Sequence, residues 1–522
     1  MNKFFTLLLV AILLWSCKKE HQAEVIEPEK PPVEIPDSAA LVQVKFEAAK
    51  NPGKISGDVF ATITGNEITA LLPNLQQNKK LVATFTIKTA STKVNVKDTL
   101  VQSGTTVIDF SQPVVYTLTT PKGKTRNYNF TVRNFAGLPI FTITTEGGAP
   151  VDSKDTYVNA TMSVNTNLNF VQEKTVIPLQ IKGRGNSTWG HPKKPYRLKF
   201  TEKASMLGLT AAKNWVLLAN YSDKTLIRTS IAFDLGAKLG SNYTPDTRYV
   251  DVVLNGTYLG SYLMTEQVEV NPGRVEITEL KKGNTSAEEI TGGYLLEQDG
   301  RLDADYWFRT NKKDVPLTFK SPDAPAQAQI DYIQQYMNDF ETALYSDDFA
   351  NPTTGYAKYI NTDSFINWFI VQEIFSNVDA RDFSSIFYYK DRGGKLGMGP
   401  LWDFDLSAGN NDYSDSRHPT GWWIKEGPYF SRLFQDPAFR AKFKARWNAV
   451  RNGAIQDIFT DIDATSAKIN LSQRQNFITW PILNKYVWPN QFVMGTYPEE
   501  VKQLKKWLNE RLVWMDGEIS KF

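Results

Sequence analysis

Two acidic groups lie on either side of one aromatic segment of this chain, at a spacing that suits metal or phosphate chemistry. Asp379 precedes the segment, and Asp403 and Asp405 follow it. The residues between them indicate a strand (SSIFYYK), a turn (DRGG) and a returning strand (KLGMGPLW). Because a hairpin brings its two ends together, we expect Asp379 to approach Asp403 and Asp405 in the folded protein.

Crowded carboxylates repel one another unless a cation neutralises them. Hard cations such as Mg²⁺ or Ca²⁺ take oxygen ligands, commonly one or two carboxylates together with phosphate oxygens. Pairing of Lys390 with Lys395 across the turn predicts that Asp403 lies roughly opposite Asp382, for which a turn cap is the expected use. The alternative is that these aspartates cap turns and pair with nearby cations, namely Arg381, Arg392 or Lys395. Spacing alone leaves both interpretations open.

The order of elements around Asp379 is typical of phosphoryl transfer. Residues 363–377 (DSFINWFIVQEIFSN) carry large apolar side chains at helical spacing, which predicts a largely buried helix. Protein kinases place a catalytic-loop aspartate after a buried helix and a metal-binding aspartate after the following hairpin. Asp379 and Asp403 stand in that order along this chain.

A glycine-rich turn upstream is a candidate phosphate-binding element. In KGRGNSTW, Gly183 and Gly185 are present, but Thr188 stands where a third glycine would complete the kinase pattern. The basic stretch HPKKPYRLKF follows directly, and its cations could reach phosphates: Lys194, Arg197 and Lys199. The alternative is an ordinary turn followed by a solvated strand face.

The N-terminus indicates secretion and lipid anchoring. Residues 1–16 combine an early lysine with an apolar run of about 12 residues, which is too short to span a bilayer and suits a signal peptide. The run ends in LWSC, which resembles a lipobox, so Cys17 is the predicted lipidation site. Residues 17–37 are rich in proline and charge and predict a semi-extended tether. We therefore expect a cell-envelope lipoprotein that Cys17 anchors to the outer membrane of a Gram-negative bacterium. Both the periplasmic and the outer face of that membrane remain open as its location.

Residues 38–135 predict an all-β sandwich of immunoglobulin-like type. Apolar residues alternate with polar ones, as at Val42, Val44 and Phe46, and turn residues separate the short runs. The stretch VVYTLTTPKGKTRNYNFTVR indicates a hairpin. Nothing in this part suggests catalysis, and it is interpreted as a spacer, with glycan or protein binding as the alternative.

Residues 136–522 predict an α+β domain with a sheet-rich half at about 136–324 and a helix-rich half at about 325–522. Asn255-Gly256 marks a hairpin turn, and a helix is expected over 223–240 with Asp223 as its N-cap. Four further helices are predicted in the second half, at 325–346, 362–377, 429–452 and 498–520.

Composition excludes several classes of function. The net charge of the 522-residue chain is only +3, so we expect no nucleic-acid partner. Its three histidines, at positions 21, 191 and 418, are too few for a convincing Ser-His-Asp or zinc site. A tryptophan cluster either stacks on sugars or belongs to the core: Trp402, Trp422 and Trp423.

Six ordered motifs give the second domain a specific resemblance. RGNSTW…KKPYRLKF, DKTLIRTSIAFDL, LNGTYLGSYLMTEQV, NVDARDFSSIFYYKD, GPLWDFDL and DPAFRAKFKARWNAVR resemble the CotH (spore coat protein H) kinase family, in its lipoprotein form from Bacteroidetes. The resemblance covers about residues 139–520. It implies an atypical protein-kinase-like fold that uses ATP and a divalent metal, Mg²⁺ or else Mn²⁺ or Ca²⁺.

The resemblance also implies residue roles. Asp379 matches the catalytic aspartate that takes the proton of the acceptor hydroxyl, Asp403 matches the metal-binding aspartate, and Asp405 is a second candidate ligand. The remaining candidates for ATP binding are Arg184, Asn186 and Ser187 of the turn, Lys194 or Lys199 for the phosphates, Glu266, and Arg228 on the predicted helix. Many relatives carry an asparagine about five residues after the catalytic aspartate, where this chain has Ser384 and Ser385, which puts a second metal in doubt.

Two functions from different classes follow. The first is a membrane-anchored kinase that transfers the γ-phosphate of ATP to Ser or Thr of an extracytoplasmic protein. The second is a kinase-like surface lipoprotein with little or no turnover that binds glycan or protein partners.

Overall fold

The computed structural model describes residues 38–55, 58–72, 79–134, 138–166 and 170–522. The predicted signal peptide, the tether and Cys17 lie outside the described residues. Within the described ranges, no helix has both the length and the apolar character needed to cross a bilayer.

The first part of the chain folds as two β-sheets that share one core. One sheet has the strand order β2-β1-β5-β8 and the other β3-β4-β10-β9-β6-β7. Inward residues of both sheets form one cluster, which includes Phe46, Phe110 and Phe130. The predicted hairpin is present as the antiparallel pair β9–β10, whereas β4 and β10 run parallel. The strands are β1 (Leu41–Phe46), β2 (Val59–Phe60), β3 (Thr62–Thr64), β4 (Glu67–Leu72), β5 (Lys80–Ile87), β6 (Lys93–Val96), β7 (Thr99–Leu100), β8 (Val107–Asp109), β9 (Val114–Thr119) and β10 (Thr125–Asn134).

A closed barrel follows, with the strand order β11-β12-β13-β14-β15-β17-β16. Alternate residues point inward and fill it, as Tyr196, Leu198 and Phe200 do from β14. The intervening Arg197 and Lys199 therefore point outward. The elements are β11 (Ile140–Thr145), β12 (Val158–Asn165), β13 (Val176–Gly183), β14 (Tyr196–Met206), β15 (Leu209–Leu218), α1 (Arg228–Lys238), β16 (Thr247–Leu254) and β17 (Thr257–Glu266).

A five-stranded sheet with the order β19-β20-β18-β21-β22 and a group of helices complete the chain. The buried helix α3 packs its aromatic residues into the largest core, and Asn361 caps it by accepting from the amides of Asp363 and Ser364. The elements are β18 (Tyr294–Gln298), β19 (Trp307–Arg309), β20 (Pro316–Ser321), α2 (Gln327–Leu344), α3 (Thr362–Phe375), β21 (Ile386–Lys390), β22 (Leu396–Met398), α4 (Phe430–Leu433), α5 (Pro437–Val450), α6 (Ile458–Lys468), α7 (Asn470–Thr479) and α8 (Tyr497–Ser520).

Three local predictions need correction. The helix expected from residue 223 begins only at Arg228, because Leu226 takes a positive φ of 62° and the Asp223 carboxylate accepts from the backbone of Arg228 at 2.9 Å. The helix expected over 429–452 is two helices, α4 and α5, because Asp436 starts a new one by capping it. In the hairpin, Lys390 pairs with Leu396 rather than with Lys395.

Helix α7 returns from the helical half to the barrel. The Asn476 side chain accepts from Lys193 Nζ at 2.8 Å and from the Ser261 backbone at 3.2 Å. The Ser472 hydroxyl donates to Asp251 at 2.7 Å. Lys193 and Asp251 are both buried, so this helix supplies polar partners that the barrel itself does not.

Candidate active site

A cleft lies between the barrel and the five-stranded sheet. Its wider part is a cavity of about 620 Å³. The walls come from the outward face of the barrel (Arg197 and Asn214), from the connection at residues 267–270, and from residues 319–324 at the end of β20. This size falls within the range of small-ligand sites.

The carboxylates lie along the same cleft. Lys320, on the wall of the cavity, pairs with Glu297 at 2.9 Å. Burial raises the pKa of Glu297, and the negative charge of Asp403 adds to that rise. Arg184 lies in the field of both Arg197 and Asp403. Glu297 and Arg184 thus link residues of the cavity wall electrostatically with Asp403, which lines a separate, narrower pocket.

Asp379 and Asp403 lie close enough to interact electrostatically. Asp379 begins a short 3-10 turn after α3, and its backbone oxygen accepts from the amides of Phe383 and Ser384. The next residue, Ser385, donates from its hydroxyl to Asp403 Oδ2 at 3.4 Å. Burial raises the pKa of Asp379 to about 6, with the charge of Asp403 as the next cause. A carboxylate with this pKa can take a proton near neutral pH.

Asp403 is held in an unusual backbone conformation. Its φ is +64°, in the left-handed region that residues other than glycine rarely adopt. Such a conformation costs about 1–3 kcal/mol and clusters at functional sites. The Asn377 amide nitrogen donates to the Asp403 backbone oxygen at 3.0 Å and helps to fix this geometry.

Asp405 is partly buried, as Asp403 is. Burial raises its pKa well above the ordinary value, and the charges of Asp403, Asp223 and Asp379 raise it further. Behind it, Arg228 pairs with Asp223 at 2.5 Å and donates to the backbone of Ser407 at 3.1 Å. Arg228 is thus committed to joining α1 to the loop after Asp405, and its guanidinium does not face the cleft as a free phosphate ligand.

Arg184 faces the acidic pair across a narrow pocket that Asp403 and Asp405 also line. Among the described residues, its guanidinium has no ion-pair or hydrogen-bond partner, and it lies over the Trp402 ring at 5.5 Å. Burial lowers its pKa and the charge of Asp403 opposes that effect. A half-buried cation without a partner is a ready site for a phosphate group.

Arg197 supports the same interpretation. Its Nε atom is buried and has no hydrogen-bond partner within the described part of the chain. The side chain lines the wide cavity. Arg197 and Arg184 therefore provide two cations on the barrel side of the cleft.

Two other predicted cations lie elsewhere. Lys194 donates to the backbone oxygen of Trp189 at 2.7 Å. Lys199 is exposed and points over Tyr157, with 5.8 Å between Nζ and the ring centroid. Neither lysine lines the wide cavity or the narrow pocket.

Glu266 ends β17 just before the connection that lines the cavity. It is buried, accepts from the Asp246 backbone at 3.1 Å and faces Arg274 at 4.0 Å. Burial raises its pKa to about 7. Its cationic neighbour is thus an arginine of the connection and not one of the predicted lysines.

The glycine-rich turn packs tightly against its own tryptophan. A Cβ at Gly183 would lie 2.3 Å from the Trp189 ring, so only glycine fits there. Asn186 and Ser187 are exposed at the tip. With its amide oxygen oriented toward Arg301, Asn186 accepts from that guanidinium at 3.2 and 3.3 Å. The sequence analysis did not identify Arg301, which is recognisable only as a charged residue soon after β18.

The predicted tryptophan cluster belongs mainly to the core. Trp402 is buried, Trp422 packs on Trp514 at 5.1 Å, and the Trp423 indole donates to the Asn377 backbone at 3.1 Å. An exposed aromatic pair lies elsewhere: Tyr413 and Trp488 are nearly parallel at 5.9 Å, and each is about half exposed. The charges of Asp379, Asp405 and Asp403 all act on the Tyr413 phenol, so the pair borders the acidic end of the cleft.

The donor set was tested for a divalent cation. The described residues contain no preformed group of three or more His, Cys, Asp or Glu side chains that could hold a metal ion. Mg²⁺ needs only one or two carboxylates when phosphate oxygens complete its shell. The Asn377 Oδ1 atom, beside Asp403, is buried without a partner in the described structure. Crowded carboxylates and an unsatisfied oxygen fit such a cation.

Comparison with known proteins gives the family. Residues 181–515, well over half of the sequence, match the family model described as CotH kinase protein. The chain belongs to the CotH kinase family. The matched range contains the glycine-rich turn after Gly183, the hairpin and all three aspartates of the site.

Other comparisons add less to this CotH kinase. Residues 52–132 match a family model described as SGBP, N-terminal. A solved structure of a candidate glycoside hydrolase from Bacteroides thetaiotaomicron is 20% identical, with 37% of this chain and 53% of that chain covered at a TM-score of 0.16. The chain thus spans about half the length of that structure, and so low a TM-score carries no argument. No curated protein matches the sequence significantly.

Proposed function

We propose that this CotH kinase transfers the γ-phosphate of ATP to a Ser or Thr hydroxyl of an extracytoplasmic protein. The observation that carries the proposal is the unpartnered Arg184 guanidinium, which faces Asp403 and Asp405 across the cleft. The pocket between them measures about 20 Å³, enough for about one water molecule, so binding of a phosphate and its counter-ion would have to widen it.

Each side of the cleft has its own task. Arg184 and Arg197 bind and orient the phosphates from the barrel side, while the wide cavity accepts the nucleoside. Asp379, with its pKa raised to about 6 by burial, accepts the proton of the attacking hydroxyl. Ser385 holds the Asp403 carboxylate, and Arg228 and Asp223 fix the loop behind it.

A divalent metal completes the proposal. Asp403 would hold it, with Asp405 and the free Asn377 oxygen as further donors, and it would neutralise charge on the transferred phosphate. Ser384 and Ser385 occupy the stretch where the family resemblance implies an asparagine, and the Ser385 hydroxyl contacts Asp403. We therefore favour one metal ion over two.

The proposal also covers the membrane anchor and the domain organisation of the chain. We propose that Cys17 carries a lipid, that residues 17–37 form a tether, and that 38–135 and 136–522 are separate domains. The two clusters of buried residues on either side of residues 135–137 do not overlap, since one includes Val132 and the other begins at Leu138. Separate cores support that division.

The direct test uses the purified protein with labelled ATP and Mg²⁺ or Mn²⁺. Label transfer to protein that requires the metal supports the proposal. An absence of nucleotide binding with either metal would contradict it.

The Arg184→Gln variant tests whether Arg184 binds the phosphates of ATP. The loss of a charge-assisted contact to phosphate is expected to weaken ATP binding by about 10-fold or more. Lys199→Gln is the matched control, because its exposed side chain points over Tyr157, and its ATP affinity should equal that of the wild type. Titration with a fluorescent nucleotide measures both. Equal affinities for Arg184→Gln and wild type would remove Arg184 from the phosphate site.

Glycan binding is the second candidate. It is favoured by the exposed Tyr413–Trp488 pair beside the cleft and by the match of residues 52–132 to the SGBP family, whose name refers to surface glycan-binding proteins. Tyr and Trp rings can stack on the apolar face of a sugar, while the Tyr O–H and Trp N–H groups can form hydrogen bonds.

We expect Trp488→Ala to weaken glycan binding by about 10-fold if the cleft region binds sugar. Trp307→Ala is the control, because Trp307 is similarly exposed but lies on β19. A glycan array followed by calorimetry on any hit measures the effect. Equal losses in the two variants would exclude a specific role for the pair.

A further inference from the structure

Arg301 packs against the segment at residues 379–385, here called the catalytic loop, which carries Asp379. It follows β18 and pairs with Asp299 at 3.0 Å. Its second terminal nitrogen donates to the Ser384 hydroxyl at 3.4 Å, and its guanidinium lies over the Phe383 ring at 4.8 Å. The backbone of Gly300 donates to that of Phe383 at 2.8 Å. Arg301 is therefore held firmly on the loop that carries Asp379.

The same guanidinium reaches across the cleft. Asn186 belongs to the glycine-rich turn between β13 and β14, and its side-chain oxygen accepts from Arg301 Nε at 3.2 Å and from Nη1 at 3.3 Å. The other hydrogen bonds of this turn run within it, from Trp189 to Asn186 and from His191 to Thr188, or to neighbouring backbone on the barrel side, from Gly183 to Ser153 and from Arg184 to Pro195. Asn186 thus meets the opposite wall at the tip of the turn, and Arg184 meets it by lying over the Trp402 ring.

We propose that Arg301 is a positioning residue that latches the glycine-rich turn onto the catalytic loop through Asn186. The planar guanidinium offers several donors in fixed directions, so it can serve Asp299, Ser384 and Asn186 together. The latch sets the distance between Arg184, which is two residues from Asn186, and the carboxylates below it. Lysine keeps the charge but lacks the fork, so it cannot hold both walls.

The first test needs no nucleotide. Hydrogen exchange of residues 184–190 is measured in the full-length protein and in Arg301→Lys and Asn186→Ala. Both variants are expected to exchange about 10-fold faster in this turn, because opening it breaks one fewer contact. Asn186 is exposed, so its replacement leaves the core intact. Unchanged exchange in both variants would overturn the latch.

Arg309→Lys is the matched control. Arg309 is the last residue of β19 in the same sheet and pairs with an aspartate, Asp314, at 2.8 Å, with a similarly exposed side chain. It makes no contact with the glycine-rich turn. Its variant should show wild-type exchange at 184–190.

The second test rests on the proposed function. Both variants are expected to raise the KM for ATP about 10-fold with a smaller change in kcat, and the double variant should be no worse than either single one. Additive losses would mean that Arg301 and Asn186 act separately. If the wild type transfers no phosphate, the proposed kinase activity fails, while the exchange experiment still decides the latch.

Discussion

Replacing Asp379 by asparagine is expected to slow phosphate transfer by about 10²- to 10⁴-fold, the usual contribution of a general base. Asparagine keeps the shape of the side chain but cannot accept the proton of the hydroxyl. Because burial raises the pKa of Asp379 to about 6, the wild-type carboxylate is mostly ionised at neutral pH and ready for that step. Single-turnover measurements with labelled ATP give the rate, and nucleotide titration should give unchanged affinity.

Asp382→Asn is the control for this prediction. Asp382 lies at the end of the same turn, but its side chain is half exposed and pairs with Arg381 at 3.0 Å. Its loss should change the rate by less than about twofold, as surface pairs contribute about 1 kcal/mol or less. An Asp379→Asn variant with the wild-type rate would remove Asp379 from the reaction.

Replacing Arg511 by methionine is expected to lower the free energy of unfolding by about 3–5 kcal/mol. Arg511 on α8 and Glu373 on α3 form an ion pair at 2.5 Å, and both side chains are fully buried. Glu373 also accepts from the backbone of Trp423 and Lys425, and Arg511 donates to the carbonyl of Gly421. Without the arginine, the structure would bury an unpaired carboxylate.

Urea or thermal unfolding of the purified protein measures this loss. Lys506→Met on the same helix is the control, because Lys506 is exposed and faces Glu510 only at 3.9 Å, and it should change stability by less than about 1 kcal/mol. Adding Glu373→Gln to Arg511→Met should recover part of the loss. A stable Arg511→Met variant would show that the pair contributes little.

The stability of the Arg511→Met variant should depend on pH in a defined direction. Burial already raises the pKa of Glu373 in the folded wild type, and the loss of Arg511 removes the charge that opposes that rise. The folded variant then binds a proton more tightly than the unfolded chain does. Its stability relative to wild type should therefore recover as the pH falls from the raised pKa toward the unfolded value.

Local patterns predicted the strands well wherever one face is buried. Val44 and Phe46 point inward as their spacing indicates, but Val42 is exposed because the pairing of β1 with β5 shifts register between Leu41 and Gln43. A bulge of this kind depends on the partner strand, so no pattern within β1 could reveal it.

Helices α6 and α7 were not predicted, and for α7 the physical reason is specific. The buried face of α7 is polar, with Ser472 and Asn476 among its buried residues. Its partners, Lys193 and Asp251, lie in the barrel. Hydrophobic periodicity cannot detect a helix whose buried side is built for polar contacts.

In the candidate site, too, local sequence predicts some features and tertiary packing determines the others. The proximity of Asp379 and Asp403 was predictable because one hairpin connects them. The outward directions of Arg197 and Lys199 follow from strand alternation, but which of them meets the cleft depends on where the second sheet packs. Arg301 reaches Asn186 only across that packing, so local sequence carries no signal for it.

The return of α7 to the barrel has a consequence for biosynthesis. The barrel strands come long before residues 470–479 in the chain. Until α7 docks, Lys193 and Asp251 lack the Asn476 amide and the Ser472 hydroxyl, although Ser261 and Tyr258 of the barrel still contact them. A barrel that forms before α7 docks must therefore leave these groups partly hydrated. Expression of residues 138–266 alone should yield an insoluble product, and any split version of this protein must supply α7 in trans.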